Sequence, residues 1–354
     1  MLEVGPVQIS DPTPQSTSPP SWVAKLAPQV RNPADLVFVR LSLLLTGIFL
    51  PLSVVLYLPS LFTWWLAPVY WGLYLFFLGP FVLMVHNTSH RALFTRDHPL
   101  ANKYIPWVVG LFFGQSPETY FSHHIGMHHA EGNLPNDLSS TMRFQRDSFA
   151  DFMRYYLRFV FLGAFELVAY LRSRRRHKLA RRFIVGEVFY FALAAGLMFV
   201  SWRATLVVFV VPLVLTRFLL MAGNWTQHAF VDPDHPDDDL RSVTTFINSH
   251  YNHRAFNDGY HVGHHLKPGL HWLDHPAYFA KTREQMIEAR TLVFRKIDYF
   301  QIWLLLMFKQ HRRLARYFVN LDPERALSED EVVALIKRRL VRFEPEALAR
   351  YAKR

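Results

Sequence analysis

The chain has 354 residues, of which 51% are hydrophobic and 16% aromatic, and its formal net charge is +11. It contains no cysteine, which excludes disulfides, thiolate metal ligands, iron–sulfur clusters and c-type haem attachment. Length alone would permit two or three soluble domains, so the arrangement of the apolar residues has to decide the class of protein.

The first apolar region predicts a membrane hairpin. Residues 1–35 are rich in Pro and Ser and lack the charged start and apolar core of a secretory signal, so we expect a mobile tail there. No charged residue occurs from Leu41 to His90. One bilayer crossing needs about 20 apolar residues, so this stretch is long enough for two. A turn at residues 58–60 predicts helices near Leu36–Leu58 and Leu61–Val85.

A second apolar pair follows near Phe183–Trp202 and Ala204–Gly223, with Arg203 at the turn. Glu187 and Arg217 interrupt it near its ends. Charged side chains at helix ends can reach the membrane interface, whereas charges in the middle of a bilayer are costly. We therefore predict four crossings in two hairpins.

Charge gives the expected orientation. The segment Arg172–Arg182 holds seven Lys or Arg residues and precedes the third crossing, so the positive-inside rule places it in the cytoplasm. With a cytoplasmic amino terminus, the second crossing returns to the cytoplasm at His86 and the fourth near Asn224. The basic residues flank membrane segments and no nucleic-acid motif is present, so the predicted partner is lipid with anionic headgroups rather than nucleic acid.

Ten histidines fall in four clusters, each at or just beyond the end of an apolar run. Imidazole is a good ligand for iron, zinc, copper or nickel. A single zinc needs only three or four protein ligands, so this number indicates two metals. The predicted topology places all four clusters on the cytoplasmic side. The clusters are His86 and His90; His123, His124, His128 and His129; His228; and His261, His264 and His265.

The spacing within the clusters suits helices. His86 and His90 are four residues apart, as are His124 and His128, and Asn224 and His228. Residues at i and i+4 share one helix face, so each pair can reach one metal region, and the third cluster does so through i+3 and i+4. The predicted metal ligands are His86, His90, His124, His128, His129, Asn224, His228, His261, His264 and His265.

The residues around the predicted ligands give further indications. His123 forms a doublet with His124, and either neighbour can face the metals. A ligand histidine usually donates its second ring N–H to a nearby acceptor, which orients the ring. The candidate acceptors here are Glu118, Glu131, Asn257 and Asp258. We predict no catalytic residue beyond the metal ligands and no binding site for an organic cofactor.

These clusters resemble the three histidine boxes of the membrane fatty acid desaturase and hydroxylase superfamily. His86–His90 is similar to the first box, His124–His129 to the H-x-x-x-H-H second box, and His261–His265 to the H-x-x-H-H third box. Asn224–His228 resembles an Asn-x-x-x-His element of acyl-CoA desaturases and membrane alkane hydroxylases. The resemblance covers residues 41–265. It implies a four-helix membrane scaffold under a cytoplasmic cap, two iron ions, O2 as co-substrate and a fatty acyl substrate.

Three functions follow as hypotheses. An unactivated C–H bond is too inert for acid–base side chains, so a cofactor has to supply the oxidising power. The first hypothesis is a desaturase acting on a fatty acyl lipid, thioester or free acid. The second is a hydroxylase, or a fatty acid decarboxylase that releases a terminal alkene. The third is a non-catalytic metal-binding or transport protein. It is disfavoured because transporters place ionisable residues near the bilayer midplane, whereas these histidines lie at or beyond the ends of the apolar runs.

An external electron donor is expected because the chain has no flavin or nicotinamide fingerprint and no cysteine for an iron–sulfur cluster. A ferredoxin or a cytochrome b5, with its reductase, would suit this role.

The predicted fold class is an all-α integral membrane protein with about four transmembrane helices in two hairpins and a cytoplasmic helical cap that carries a di-iron site. The predicted domains are the tail (1–35), a catalytic membrane domain (36–310) and a charged cytoplasmic helical segment (311–354).

Overall fold

Long apolar helices form the membrane part of the protein, in a computed structural model that describes residues 8–14 and 21–352. Within those residues, four helical segments are long and apolar enough to cross a membrane. The prediction of an all-α protein with four membrane helices is confirmed. The segments are Pro33–Tyr57, Leu66–His90, His177–Val200 and Trp202–Gln227.

Two of these helices extend further than predicted. The second continues to His90 instead of ending near Val85, and the fourth reaches Gln227 instead of Gly223. Hydropathy marks the residue where apolar side chains stop, which need not be the residue where the helix stops. Both extensions carry predicted ligands, so His86, His90 and Asn224 project from rigid helical ends.

The chain divides into two compact units, and one of them, Gln15–Gly126 with Leu167–Phe218, contains most of the membrane helices. Aromatic rings fill its interior: Phe113 stacks on Phe81 with centroids 4.2 Å apart and meets the edge of Phe49 at 5.0 Å. Gly114 has φ +65°, and a Cβ there would lie 2.2 Å from the backbone nitrogen of Leu213, so only glycine fits. Its shorter helices are Ser21–Ala24, Ala27–Gln29, Pro33–Asp35, Ala101–Lys103, Ile105–Val109, Gly110–Phe112, Thr119–His123, Trp202–Thr205 and Leu206–Val210.

The other unit comprises Met1–Pro14, Met127–Glu166 and Leu219–Arg354. Its two short strands, Thr245–Ile247 and Val293–Arg295, pair in parallel with Phe246 opposite Phe294, a feature that the all-α prediction did not include. The helix Phe149–Ser173 and the turn His124–His128 run from one unit into the other. Its remaining helices are His129–Glu131, Asp239–Ser242, His250–Arg254, His261–Leu266, Trp272–Asp274, His275–Lys281, Arg283–Glu288, Tyr299–Met307, His311–Ala315, Glu329–Arg339 and Pro345–Tyr351.

Two terminal segments belong to this second unit. Glu329–Arg339 buries Val332 and Ile336 in an apolar cluster that also contains Phe230 and Phe294. Residues 8–14 contact the loop that contains Asn248. Residues 1–7 and 15–20 of the predicted tail lie outside the described residues. The mobility of that tail and the domain boundaries at 35 and 310 remain predictions.

Candidate metal centre

In the unit with the membrane helices, three histidines converge at the end of the second membrane helix. His86 and His90 lie in its last turn, and one nitrogen of each lies within 4.8 Å of a nitrogen of His124. The Nε2 atoms of His90 and His124 are 3.0 Å apart. The predicted i, i+4 pairing of His86 and His90 thus brings both rings to one place, and His124 reaches them from a separate segment.

In the other unit, four histidines form a buried group: His128, His228, His261 and His265. Each offers one ring nitrogen within 4.8 Å of those of the others, and all four side chains are at most 3% exposed. In the described part of the chain, neither ring nitrogen of His228 has a hydrogen-bond partner. Leaving such buried polar atoms without a partner is costly. A metal ion bound to the unprotonated nitrogen of His228 lowers this cost, so the group fits a metal.

Electrostatics favour the metal-binding form of His228. Burial, with a further contribution from the neighbouring His265 and His128, lowers the pKa of His228 well below its usual value. The ring is therefore neutral near pH 7, which is the form that coordinates a metal.

Two carboxylates that were not predicted as acceptors contact histidines of this group. Oδ2 of Asp137 lies 2.7 Å from Nδ1 of His128, and Oδ1 of Asp239 lies 3.3 Å from Nδ1 of His265. A carboxylate at Nδ1 orients the ring and leaves Nε2 for a metal. The only sequence signal for Asp137 was its polar loop just after the second cluster. Asp239 ends the acidic run 232–239, and that position gives no sequence signal for a contact with a histidine.

Neighbouring histidines of a doublet do not join the same group. His129 and His264 lie outside the four-histidine group, and their Nε2 atoms are 2.9 Å apart. Adjacent residues of a helix point about 100° apart, so His128 and His129 diverge, as do His264 and His265. The expectation that the whole third cluster reaches one place through i+3 and i+4 holds for His261 and His265 only.

The pair His124 and His128 also divides between the two groups, contrary to the i, i+4 expectation. The turn His124–His128 is π-helical. Its i→i+5 hydrogen bonds replace the 3.6-residue periodicity on which the expectation depended, and such turns are frequent at functional sites.

Asn224 is held by its amide nitrogen, which donates to the backbone oxygen of Ser139 at 2.9 Å and contacts the Tyr155 hydroxyl at 2.7 Å. Only its Oδ1 atom is then available to a metal, so its role as a ligand remains a prediction. The same holds for His123, which ends the helix Thr119–His123.

Two of the four residues considered as acceptors for histidine serve elsewhere. Glu118 binds Lys103, Trp107 and Arg182. Asn257 donates to the backbone oxygens of Pro12 and Trp272, each at 2.8 Å. For Glu131 and Asp258 the interpretation stays a prediction.

Arg146, which is fully buried, supports the backbone around His228. Its guanidinium donates to the backbone oxygens of Ala229 at 2.8 Å, Arg339 at 2.9 Å and Val341 at 2.7 Å. Burial lowers the pKa of Arg146 to about 9. The charge persists at pH 7 because the carbonyl oxygens around the guanidinium stabilise it.

Comparison with known proteins gives the family. The model of the fatty acid desaturase family matches residues 62–296, which include all the predicted metal ligands. Among curated proteins and solved structures, no significant match was found. The family match covers about two thirds of the chain (235 of 354 residues) and includes all three histidine motifs. The chain therefore belongs to the fatty acid desaturase family.

Proposed function

We propose that the protein is a membrane fatty acid desaturase that introduces a carbon–carbon double bond into an acyl chain with O2 as co-substrate. The observation that supports this most directly is the presence of two groups of converging histidines in a chain of this family. The overall change removes two hydrogens from the acyl chain and, with two further electrons and two protons, reduces O2 to two waters. The acyl chain supplies one electron pair and an external donor supplies the other.

We propose that two iron ions bind, one at each histidine group. All-imidazole sites also accept zinc, copper and nickel, and the family membership favours iron. Bound iron would supply the redox chemistry that side chains lack. The chain's own residues have two tasks in this proposal: burial of the four-histidine group keeps His228 neutral and water out, and Asp137 and Asp239 orient His128 and His265.

The reaction is tested by gas chromatography–mass spectrometry of lipids and headspace from cells that express the chain or its His228→Ala variant. A new double bond that needs wild-type His228 supports the proposal. A hydroxylated chain or a volatile terminal alkene instead would replace desaturation by one of the two alternatives considered from the sequence. Unchanged lipids in cells whose purified protein carries iron would contradict desaturation, hydroxylation and decarboxylation alike.

We propose an external one-electron donor of the ferredoxin or cytochrome b5 type, with its reductase. Arg172, Arg175 and Lys178 form an exposed basic surface that suits an acidic carrier. Arg176 is unsuitable for a docking test, because it donates a hydrogen bond to the backbone oxygen of Gly126 within the second histidine motif. Replacing the three exposed residues by Gln should slow turnover with a protein donor and reduce its salt dependence, but leave turnover with a small reductant unchanged. Sustained turnover with only substrate and O2 would refute the donor requirement.

A further inference from the structure

The amino-terminal residues 8–14 contact the segment 248–260, which joins the strand Thr245–Ile247 to the helix that begins at His261. The backbone nitrogen of Asn248 donates to Oδ2 of Asp11 at 2.7 Å, and the Asn248 amide donates to the backbone oxygen of Gln8 at 2.8 Å. The backbone nitrogen of Ser10 donates in return to Oδ1 of Asn248 at 2.8 Å. The segment is therefore bound by reciprocal hydrogen bonds rather than by one isolated contact.

A second set of contacts reaches the residue next to a predicted metal ligand. The Tyr260 hydroxyl donates to Oδ2 of Asp11 at 2.6 Å, and the Asn257 amide donates to the backbone oxygen of Pro12 at 2.8 Å. Asp11 thus accepts hydrogen bonds from both ends of the segment 248–260.

The segment also completes an apolar cluster around His261. Ile9 packs against a cluster that contains Tyr260 and Val262, the two neighbours of His261 in the chain. The backbone nitrogen of Val262 donates to Oγ1 of Thr245 at 3.2 Å. His261 is therefore flanked by one residue that Asp11 holds and another that the parallel strand pair holds.

The free-energy cost of burying the Asp11 carboxylate indicates that Asp11 has a positioning role. The Asp11 side chain is 4% exposed, and its Oδ1 atom has no hydrogen-bond partner among the described residues. Burying a carboxylate is expensive, and an apolar residue would fill the position at lower cost. Asn248 and Asn257, which bind the segment, both have left-handed backbone with φ +52° and +57°. Asn tolerates this conformation better than most residues, so the loop is shaped to present its amides to the segment.

We infer that residues 8–14 form a strap that positions His261 for metal binding, with Asp11 as its positioning residue. This inference rests on the proposed metal-binding function of the four-histidine group. The strap acts through Tyr260 and the apolar cluster, and Asp11 itself is not a ligand. Removing its carboxylate should therefore loosen the loop and weaken one of the two proposed iron sites, while the site built from His86, His90 and His124 keeps its affinity.

The test compares the full-length variants Asp11→Ala, Asp11→Asn and Tyr260→Phe, with Asp237→Asn as control. Asp237 is an exposed carboxylate of the same unit. Iron(II) titration of the purified protein should show that Asp11→Ala weakens one of two sites about 10-fold, the lower end of the range for residues that orient ligands. Asp11→Asn should stay close to wild type because Asn keeps an acceptor oxygen, and Tyr260→Phe should resemble Asp11→Ala. Thermal unfolding verifies that each variant is folded.

A second measurement tests, without iron, whether the strap orders the segment that leads to His261. In the metal-free protein, amide hydrogen exchange of residues 245–262 should be faster in Asp11→Ala than in Asp237→Asn. Unchanged exchange together with unchanged iron affinity in a folded Asp11→Ala variant would overturn the strap. Absence of iron binding in the wild type would instead contradict the proposed function, and the exchange result would still decide whether the strap orders the loop.

Discussion

The Asp137 carboxylate lies 2.7 Å from Nδ1 of His128, and both side chains are almost completely buried. The backbone nitrogens of Asn133 and Ser139 donate to the same carboxylate at 3.0 and 2.7 Å. Asp137 is thus oriented by its own loop while it orients His128.

Replacing Asp137 by Ala should weaken one proposed iron site by about 10–100-fold, because His128 loses the acceptor that fixes its ring and tautomer. Iron(II) titration of the purified protein measures the effect. Asp237→Asn removes an exposed carboxylate and should bind iron as the wild type does. Equal affinity in wild type and in a folded Asp137→Ala protein would show that the contact does not serve the metal.

The two histidine groups should lose metal independently. His90→Ala removes a ligand from one group and His228→Ala from the other, so each should retain about one iron per chain out of about two, with activity lost in both. Metal analysis of the purified variants measures this. The control is His253→Ala, which changes an exposed histidine. Stoichiometric zinc in the wild type, with iron unable to restore activity, would refute the di-iron proposal.

Arg146→Met should destabilise the unit that contains the four-histidine group by about 3 kcal/mol or more, because several buried carbonyl oxygens lose their donor. Arg146→Lys should also destabilise it, since one ammonium cannot replace the guanidinium fork. Thermal unfolding in detergent measures both. Arg316→Met, an exposed site, should leave the unfolding temperature nearly unchanged. The prediction fails if Arg146→Met unfolds at the wild-type temperature.

The contribution of Glu118 to the stability of the fold should depend on pH and be lost in acid. Burial alone raises its pKa, but hydrogen bonds from Lys103 and Trp107 and the charge of Arg182 outweigh this and hold the pKa below its usual value. The folded state thus keeps the carboxylate at a pH where the unfolded chain is already protonated. Its stabilisation is fully present above the unfolded pKa and is lost as the pH falls through the lower, folded pKa.

Glu118→Gln should therefore lower the unfolding temperature at pH 7, and the difference from wild type should shrink as the pH falls below the ordinary value for Glu. Thermal unfolding across this pH range measures it. Glu284→Gln, at an exposed site, should show no such dependence. A wild-type advantage that grows in acid would contradict the assignment.

We propose that the segment Arg172–Arg182 and the histidine clusters lie on the cytoplasmic side of the membrane. This placement can be tested directly with single cysteines, because the chain has no cysteine of its own. Single-cysteine variants at Asp97 and Lys178 should react with a membrane-impermeant maleimide only from the cytoplasmic side, and Ser60→Cys, between the first two membrane helices, only from the opposite side. Labelling of intact cells and of inverted vesicles measures this. Reaction of Lys178→Cys in intact cells would reverse the topology.

The sequence by itself determined the membrane class, the four helices and the pairing of His86 with His90, because apolar length and helical spacing are local properties. It did not predict the division of the remaining histidines. The π-helical turn separates His124 from His128, and adjacent positions on a helix separate His128 from His129 and His264 from His265. These outcomes depend on local backbone geometry that residue types do not encode in a visible period.

Only the tertiary structure decided which residues support the predicted metal ligands. Asp137 and His128 are nine residues apart, Arg146 and Ala229 are 83 apart, and Asp11 and Tyr260 are 249 apart. No periodicity relates positions so distant, since chain folding alone brings them together. A carboxylate in a polar loop looks solvated in the sequence, and whether it is buried against a histidine is decided by the packing of the rest of the chain around it.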